Sequence, residues 1–154
     1  MKDKNFMNDK ITLFTKGILD IMFYGGIVVT ISVPFIINFY GRYNSYFAEN
    51  TLALSVIFII SGMLAVLIIY ELRKMFQSVL DDDCFTVANV RSLNRMGTYS
   101  LLIAPITAAR LIFYMTPSVL IVTLVFLIAG LFSKVLSHVF DKAVTYKLEN
   151  DLTI

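Results

Sequence analysis

Long apolar runs separated by short polar clusters organise this chain. Four stretches, 17–40, 51–70, 98–115 and 117–137, carry almost no charge. A helix needs about 20 mostly apolar residues to cross hydrocarbon about 30 Å thick, at a rise of about 1.5 Å per residue. None of the four alternates with a period of two, so a barrel is not expected. The first stretch is too long for a cleaved leader and lacks a small-x-small site, so it reads as a retained span. The pattern predicts an all-α fold, a four-transmembrane-helix bundle with a cytoplasmic helical hairpin between helices 2 and 3. Residues 1–154 would form a single integral membrane domain.

The hairpin occupies 71–97. Leu72, Met75, Phe76, Val79 and Leu80 keep amphipathic helical spacing beyond the second span. Asp81-Asp82-Asp83-Cys84-Phe85 then stops the helix, as a solvated acidic turn. Thr86 is the expected N-cap of the next helix, with Val87, Val90 and Leu93 as its apolar edge. That helix leads through Arg91, Asn94 and Arg95 into the third span. On the other side, 41–50 is a short loop with Tyr43, Tyr46 and Phe47, rings that favour the headgroup level. Thr116 and Pro117 make a minimal turn, Thr116 as cap and Pro117 in the first helical turn. The tail, 138–154, continues the fourth helix and is long enough to pack beside the hairpin.

Charge sets the expected orientation. Of 13 lysines and arginines, all but Arg42 and Arg110 flank the side shared by the two termini and the hairpin. By the positive-inside rule both termini are cytoplasmic, which makes this a multi-pass protein of the cell (inner or plasma) membrane. Composition agrees: 58% hydrophobic and 16% charged, against about 45–50% and about 25% in soluble domains. A net charge of +2 is too small for direct nucleic-acid binding. The single Cys84 excludes an intrachain disulfide and any Cys-rich zinc motif. His138 is the only histidine, and no phosphate loop, HExxH, GxSxG or dinucleotide glycine pattern occurs. No catalytic residue, metal or cofactor is therefore expected, and the chain is read as a non-enzyme.

Within the spans, small residues recur every four positions: Gly26, Thr30, Pro34 and Asn38; Ser100, Ala104 and Ala108; Ala129, Ser133 and Ser137. Ser61, Gly62 and Ala65 add a shorter set. Such stripes let helix backbones approach in lipid; they serve bundle packing or a homo-oligomer face. Pro34 and Pro105 remove helical hydrogen bonds inside the first and third spans. Two polar groups at membrane depth are candidates for function, Asn38 and Arg110. Arg110 could meet Asn38, Tyr114 or a lipid phosphate, since its long stem can snorkel. Asp20 is expected at the boundary near Lys16.

The segment Cys84-Phe85-Thr86-Val87-Ala88-Asn89-Val90-Arg91-Ser92-Leu93-Asn94-Arg95-Met96-Gly97 resembles the signature PFT-x-x-N-x-x-x-L-R-x-x-G of YoaS-like proteins, small bacterial four-helix membrane proteins of unknown function. Leu148 to Ile154 resembles the ending of that family, so the resemblance covers nearly the whole chain. Cys84 stands where proline is usual, and Asn94 where the signature has arginine. The resemblance implies association with a helix-turn-helix regulator, because such proteins are often encoded beside one of the Cro type.

The leading expectation is a non-enzymatic regulator or sensor that binds a cytoplasmic partner through the hairpin. Phe85, Thr86, Asn89, Arg91 and Arg95 are the candidate partner-binding residues. The alternative is a small transporter, or an immunity-type protein against a membrane-active compound. A third is an accessory subunit of a larger complex.

Overall fold

The computed structural model describes residues 2–81, 83–113 and 115–151. Asp82 of the acidic turn, Tyr114 and the ending 152–154 lie outside the described residues. Six helices follow in order: α1 (Lys2–Gly41), α2 (Ser45–Glu49), α3 (Thr51–Leu80), α4 (Val87–Ala108), α5 (Arg110–Phe113) and α6 (Pro117–Asp151). Among the described residues there is no strand.

Three helical stretches are long and apolar enough to cross a membrane: Lys10–Gly41, Thr51–Leu80 and Pro117–Asn150. The burial pattern makes the same point. Large apolar side chains face outward, including Phe35 at 78%, Leu52 at 80% and Ile112 at 84% exposure, while Glu71, Asn89, Ser92, Ser100, Thr107 and Ser137 are buried. A water-soluble domain does not leave so much contiguous apolar surface uncovered. The inversion fits a membrane-embedded protein, whose helices gain nothing by hiding aliphatic groups from lipid and associate through close packing and polar contacts.

The third apolar stretch departs from the expected single span over 98–115. α4 ends at Ala108, Ala109 forms a turn, and α5 is a separate short helix. Pro105 has no amide hydrogen, so the Leu101 carbonyl loses its helical donor one turn before the break. The Ala109 amide closes the end of α4 on the Pro105 carbonyl at 3.0 Å.

The helices stand side by side in the order α1, α3, α4, α6, each antiparallel to its neighbour and most extensively packed where α4 meets α6. Small residues bring the backbones together. A Cβ placed on Gly62 would meet the Thr30 hydroxyl of α1 at 2.7 Å. One on Gly130 would lie 2.7 Å from Leu101 Cγ and 3.1 Å from the Leu101 amide nitrogen. The stripe expected on the fourth span holds at Ser137 but not at Ala129, which is exposed; the buried seam of α6 is Val119, Gly130, Ser137 and Val144. Gly130, rather than Ala129, faces α4 because Leu101 needs the space.

Gly130→Ala overpacks this crossing and should cost about 1–3 kcal/mol. Gly25→Ala, which meets nothing within 4 Å, should be close to neutral. Equilibrium unfolding in mixed detergent micelles compares the two; equal stabilities would contradict the packing described.

Candidate functional site

The principal polar site lies where α3 and α4 leave the apolar zone. Glu71 follows directly on the apolar run of α3 and is only 4% exposed. A carboxylate that deep must be matched by donors, and α4 supplies them. Ser92 Oγ donates to Glu71 Oε2 at 2.7 Å, and Arg95 Nη1 to Oε1 at 3.1 Å. Lys74 Nζ stands 3.9 Å away on the same helix and lies over the Tyr70 ring.

At the far end of this hairpin, Asn89 is 3% exposed. Its amide donates to Ser78 Oγ at 2.6 Å and to the Cys84 carbonyl at 2.7 Å. Thr86, in extended backbone, accepts the Asn89 amide hydrogen at 3.2 Å, which makes it the N-cap of α4. Asn89 therefore ties the end of α3, the turn and the start of α4 into one unit. The tail closes this unit on the other side. Lys147 Nζ reaches Asp83 at 2.9 Å, the Phe140 ring stacks with Phe85 at 5.3 Å, and Ser137 Oγ donates to the Val90 carbonyl.

Matching contacts join the other helices at the same level. Asp20 of α1 accepts from Arg73 Nε of α3 at 2.6 Å, and the Arg73 guanidinium covers the Phe23 ring. One turn earlier on α1, Lys16 donates to Gln77 of α3. Lys134 of α6 donates to Asn94 and, at 2.7 Å, to Thr98 of α4. From this layer to the opposite helix ends, Gly41, Thr51 and Pro117, the helices rise about 26–32 Å. That matches the hydrocarbon thickness of a bilayer, about 30 Å.

Between α3 and α4 a cleft of about 470 Å³ opens beside Glu71, lined also by Lys74, Asp81, Asp83, Thr86 and Arg91. Arg91 is exposed there, and no carboxylate among the described residues pairs with it. Of the residues expected to bind a partner, Thr86, Asn89, Arg91 and Arg95 meet at this cleft. Phe85 does not, because it turns to Phe140. Asn89 is spent on holding the turn and Arg95 on Glu71, which leaves Arg91 as the most available group.

Asn38 and Arg110, the two polar candidates at membrane depth, have separate partners among the described residues. Asn38 donates to the Pro34 carbonyl of its own helix at 3.0 Å, whereas Arg110 lies over the Phe58 ring of α3, 4.4 Å from its centre. Glu71 and Arg73 were not among the site residues read from the sequence. A signal for both was present. The short loop after α1 fixes the antiparallel register, which sets Arg73 opposite Asp20, and the hairpin sets Glu71 opposite Ser92 and Arg95. Among the described residues no group of three or more His, Cys, Asp or Glu side chains could hold a metal ion.

Residues 24–154 match the family described as protein of unknown function DUF2975, and the chain belongs to that family. No curated protein and no solved structure matches it.

Ser92→Ala leaves the buried Glu71 carboxylate short of one donor and should lower stability by about 1–3 kcal/mol. Lys74→Ala removes a half-exposed amine and should cost less than about 1 kcal/mol. Unfolding midpoints in the same detergent measure both; a larger loss for Lys74→Ala would show that Glu71 is not held as described.

Proposed function

We propose that this member of the DUF2975 family is a non-enzymatic, multi-pass membrane regulator that binds a cytoplasmic protein at the cleft between α3 and α4. The observation that carries the reading is Arg91: an exposed guanidinium, unpaired among the described residues, on the rim of a cleft whose walls are fixed by Glu71 and Asn89. A surface cation of that kind is positioned for a partner's carboxylate, with Lys74 and Asp81 available for further polar contacts. A cytoplasmic transcription regulator of the helix-turn-helix type suits this reading, through the resemblance of 84–97 to YoaS-like proteins.

The reading includes four crossings. From Arg95 to Phe113, α4 and α5 together rise about 27 Å, close to the span of their neighbours, so that α4–α5 crosses as a broken helix. Such a break is tolerated where neighbouring helices cover it. An even number of crossings puts both termini and the hairpin on one side, and the positive-inside rule assigns that side to the cytoplasm of the cell membrane. The transporter or immunity alternative draws less support, because Asn38 and Arg110 do not converge at mid-membrane.

Two experiments test this. Reporter fusions should place Tyr43 outside and the C-terminal tail inside; a cytoplasmic Tyr43 would overturn the orientation. Crosslinking in cells from Ala88, on the cleft wall, should capture a defined partner whose recovery falls about tenfold or more in Arg91→Glu, as expected for losing a charged contact and adding a repulsive one. Phe85→Ala should leave recovery largely intact. Equal capture by wild type and Arg91→Glu would refute the cleft as the docking site.

A further inference from the structure

A second polar pocket lies at the opposite end of the molecule, where α4 turns through α5 into α6. We infer that this pocket binds one phosphate-class oxyanion through Arg110, the anion being carried on a lipid headgroup or free in solution.

The pocket has a volume of about 140 Å³ and is lined by Thr107, Arg110, Thr116, Ser118, Val119 and Val122. It contains one cation and no carboxylate. Arg110 is held from one side by the Phe58 ring, and its Nε is buried with no hydrogen-bond partner. A buried guanidinium donor without an acceptor is an uncommon arrangement, because desolvation is then uncompensated. The described side chains nearby do not resolve it. The Thr107 hydroxyl is already shared between the Ile103 and Ala104 carbonyls and Thr123. Thr116 and Ser118 add hydroxyl donors to the pocket wall. The pocket also sits at the start of α6, a helix of 35 residues. Its dipole favours negative charge at that point, although Pro117 has no amide hydrogen and the Val119 and Leu120 amides are already used by the Thr116 carbonyl at 3.1 and 3.4 Å.

The donors select the class of ligand. A guanidinium, two hydroxyls and a helix end line the space. A planar carboxylate offers two oxygens to such a set, whereas a phosphate offers three or more in a tetrahedral arrangement and matches the guanidinium in bidentate fashion. Position agrees. Pro117 lies about 26 Å along α6 from Lys134, so the pocket opens at the second membrane boundary, where lipid phosphates are concentrated. The site lies away from the α3–α4 cleft and does not depend on the reading given to it.

The full chain is purified in a phosphate-free maltoside detergent and compared with the same sample after addition of inorganic phosphate or of phosphatidylglycerol. Thermal midpoints and native mass spectrometry of retained lipid report binding. An elevated midpoint with phosphatidylglycerol, accompanied by retained lipid, identifies a headgroup; one with inorganic phosphate identifies a free anion. Either effect should be lost in Arg110→Gln, weaken by about tenfold in the double variant Thr116→Val/Ser118→Ala, and persist in Arg91→Gln at the other boundary. The double variant keeps Arg110 in place and remains informative if Arg110→Gln does not fold. No stabilisation by either anion would overturn the inference. So would stabilisation that survives Arg110→Gln, or that is unchanged in the double variant when Arg110→Gln is not folded.

Discussion

A carboxylate sealed between two helices at the edge of a bilayer permits few alternatives. Glu71 must keep Ser92 and Arg95 opposite it, or stand desolvated and unmatched. That requirement fixes the register of α4 on α3, and through it the level at which Asn89 meets Ser78 and the turn. Because α4 also carries Gly97 against Gly130, the same register sets where α6 can approach. Apolar packing alone would not specify it, since sliding one greasy helix past another in lipid changes the free energy little.

The polar contacts then take on a common level. Asp20 with Arg73, Glu71 with Arg95, and Lys134 with Asn94 and Thr98 all lie in one layer across four helices. The long helices continue beyond it: α1 is 40 residues and α6 is 35, more than hydrocarbon of about 30 Å can contain. The projecting parts carry the turn, the Phe85–Phe140 stack and the cleft. The polar chemistry is therefore concentrated at this end of the helices and is braced by the pairs beneath it.

Much of this was legible in the sequence. The runs 17–40, 51–70 and 117–137 marked three helices long and apolar enough to cross a membrane, and Thr86 was recognisable as a cap from its place before an apolar-periodic segment. The α4–α5 break was not, because hydropathy sees 98–115 as one run while the effect of Pro105 depends on what surrounds it. On α6 Ser137 was legible as a seam residue, but Ala129 was taken for Gly130 because both are small, and only the position of Leu101 decides between them. Glu71 escaped notice for a different reason. A single glutamate after an apolar run resembles any helix leaving the membrane, and its burial follows from the partner helix rather than from its own neighbours.

The order of the helices has a mechanical consequence. With α1, α3, α4 and α6 arranged as a row, and the ion pairs of the row gathered along one border, the assembly resembles a fan riveted at its handle. The loop-side tips are joined by softer means, such as the hydroxyl contact of Thr107 with Thr123 and the ring of Phe58 under Arg110. Lateral strain in the bilayer would spread those tips first, while the riveted border kept its geometry.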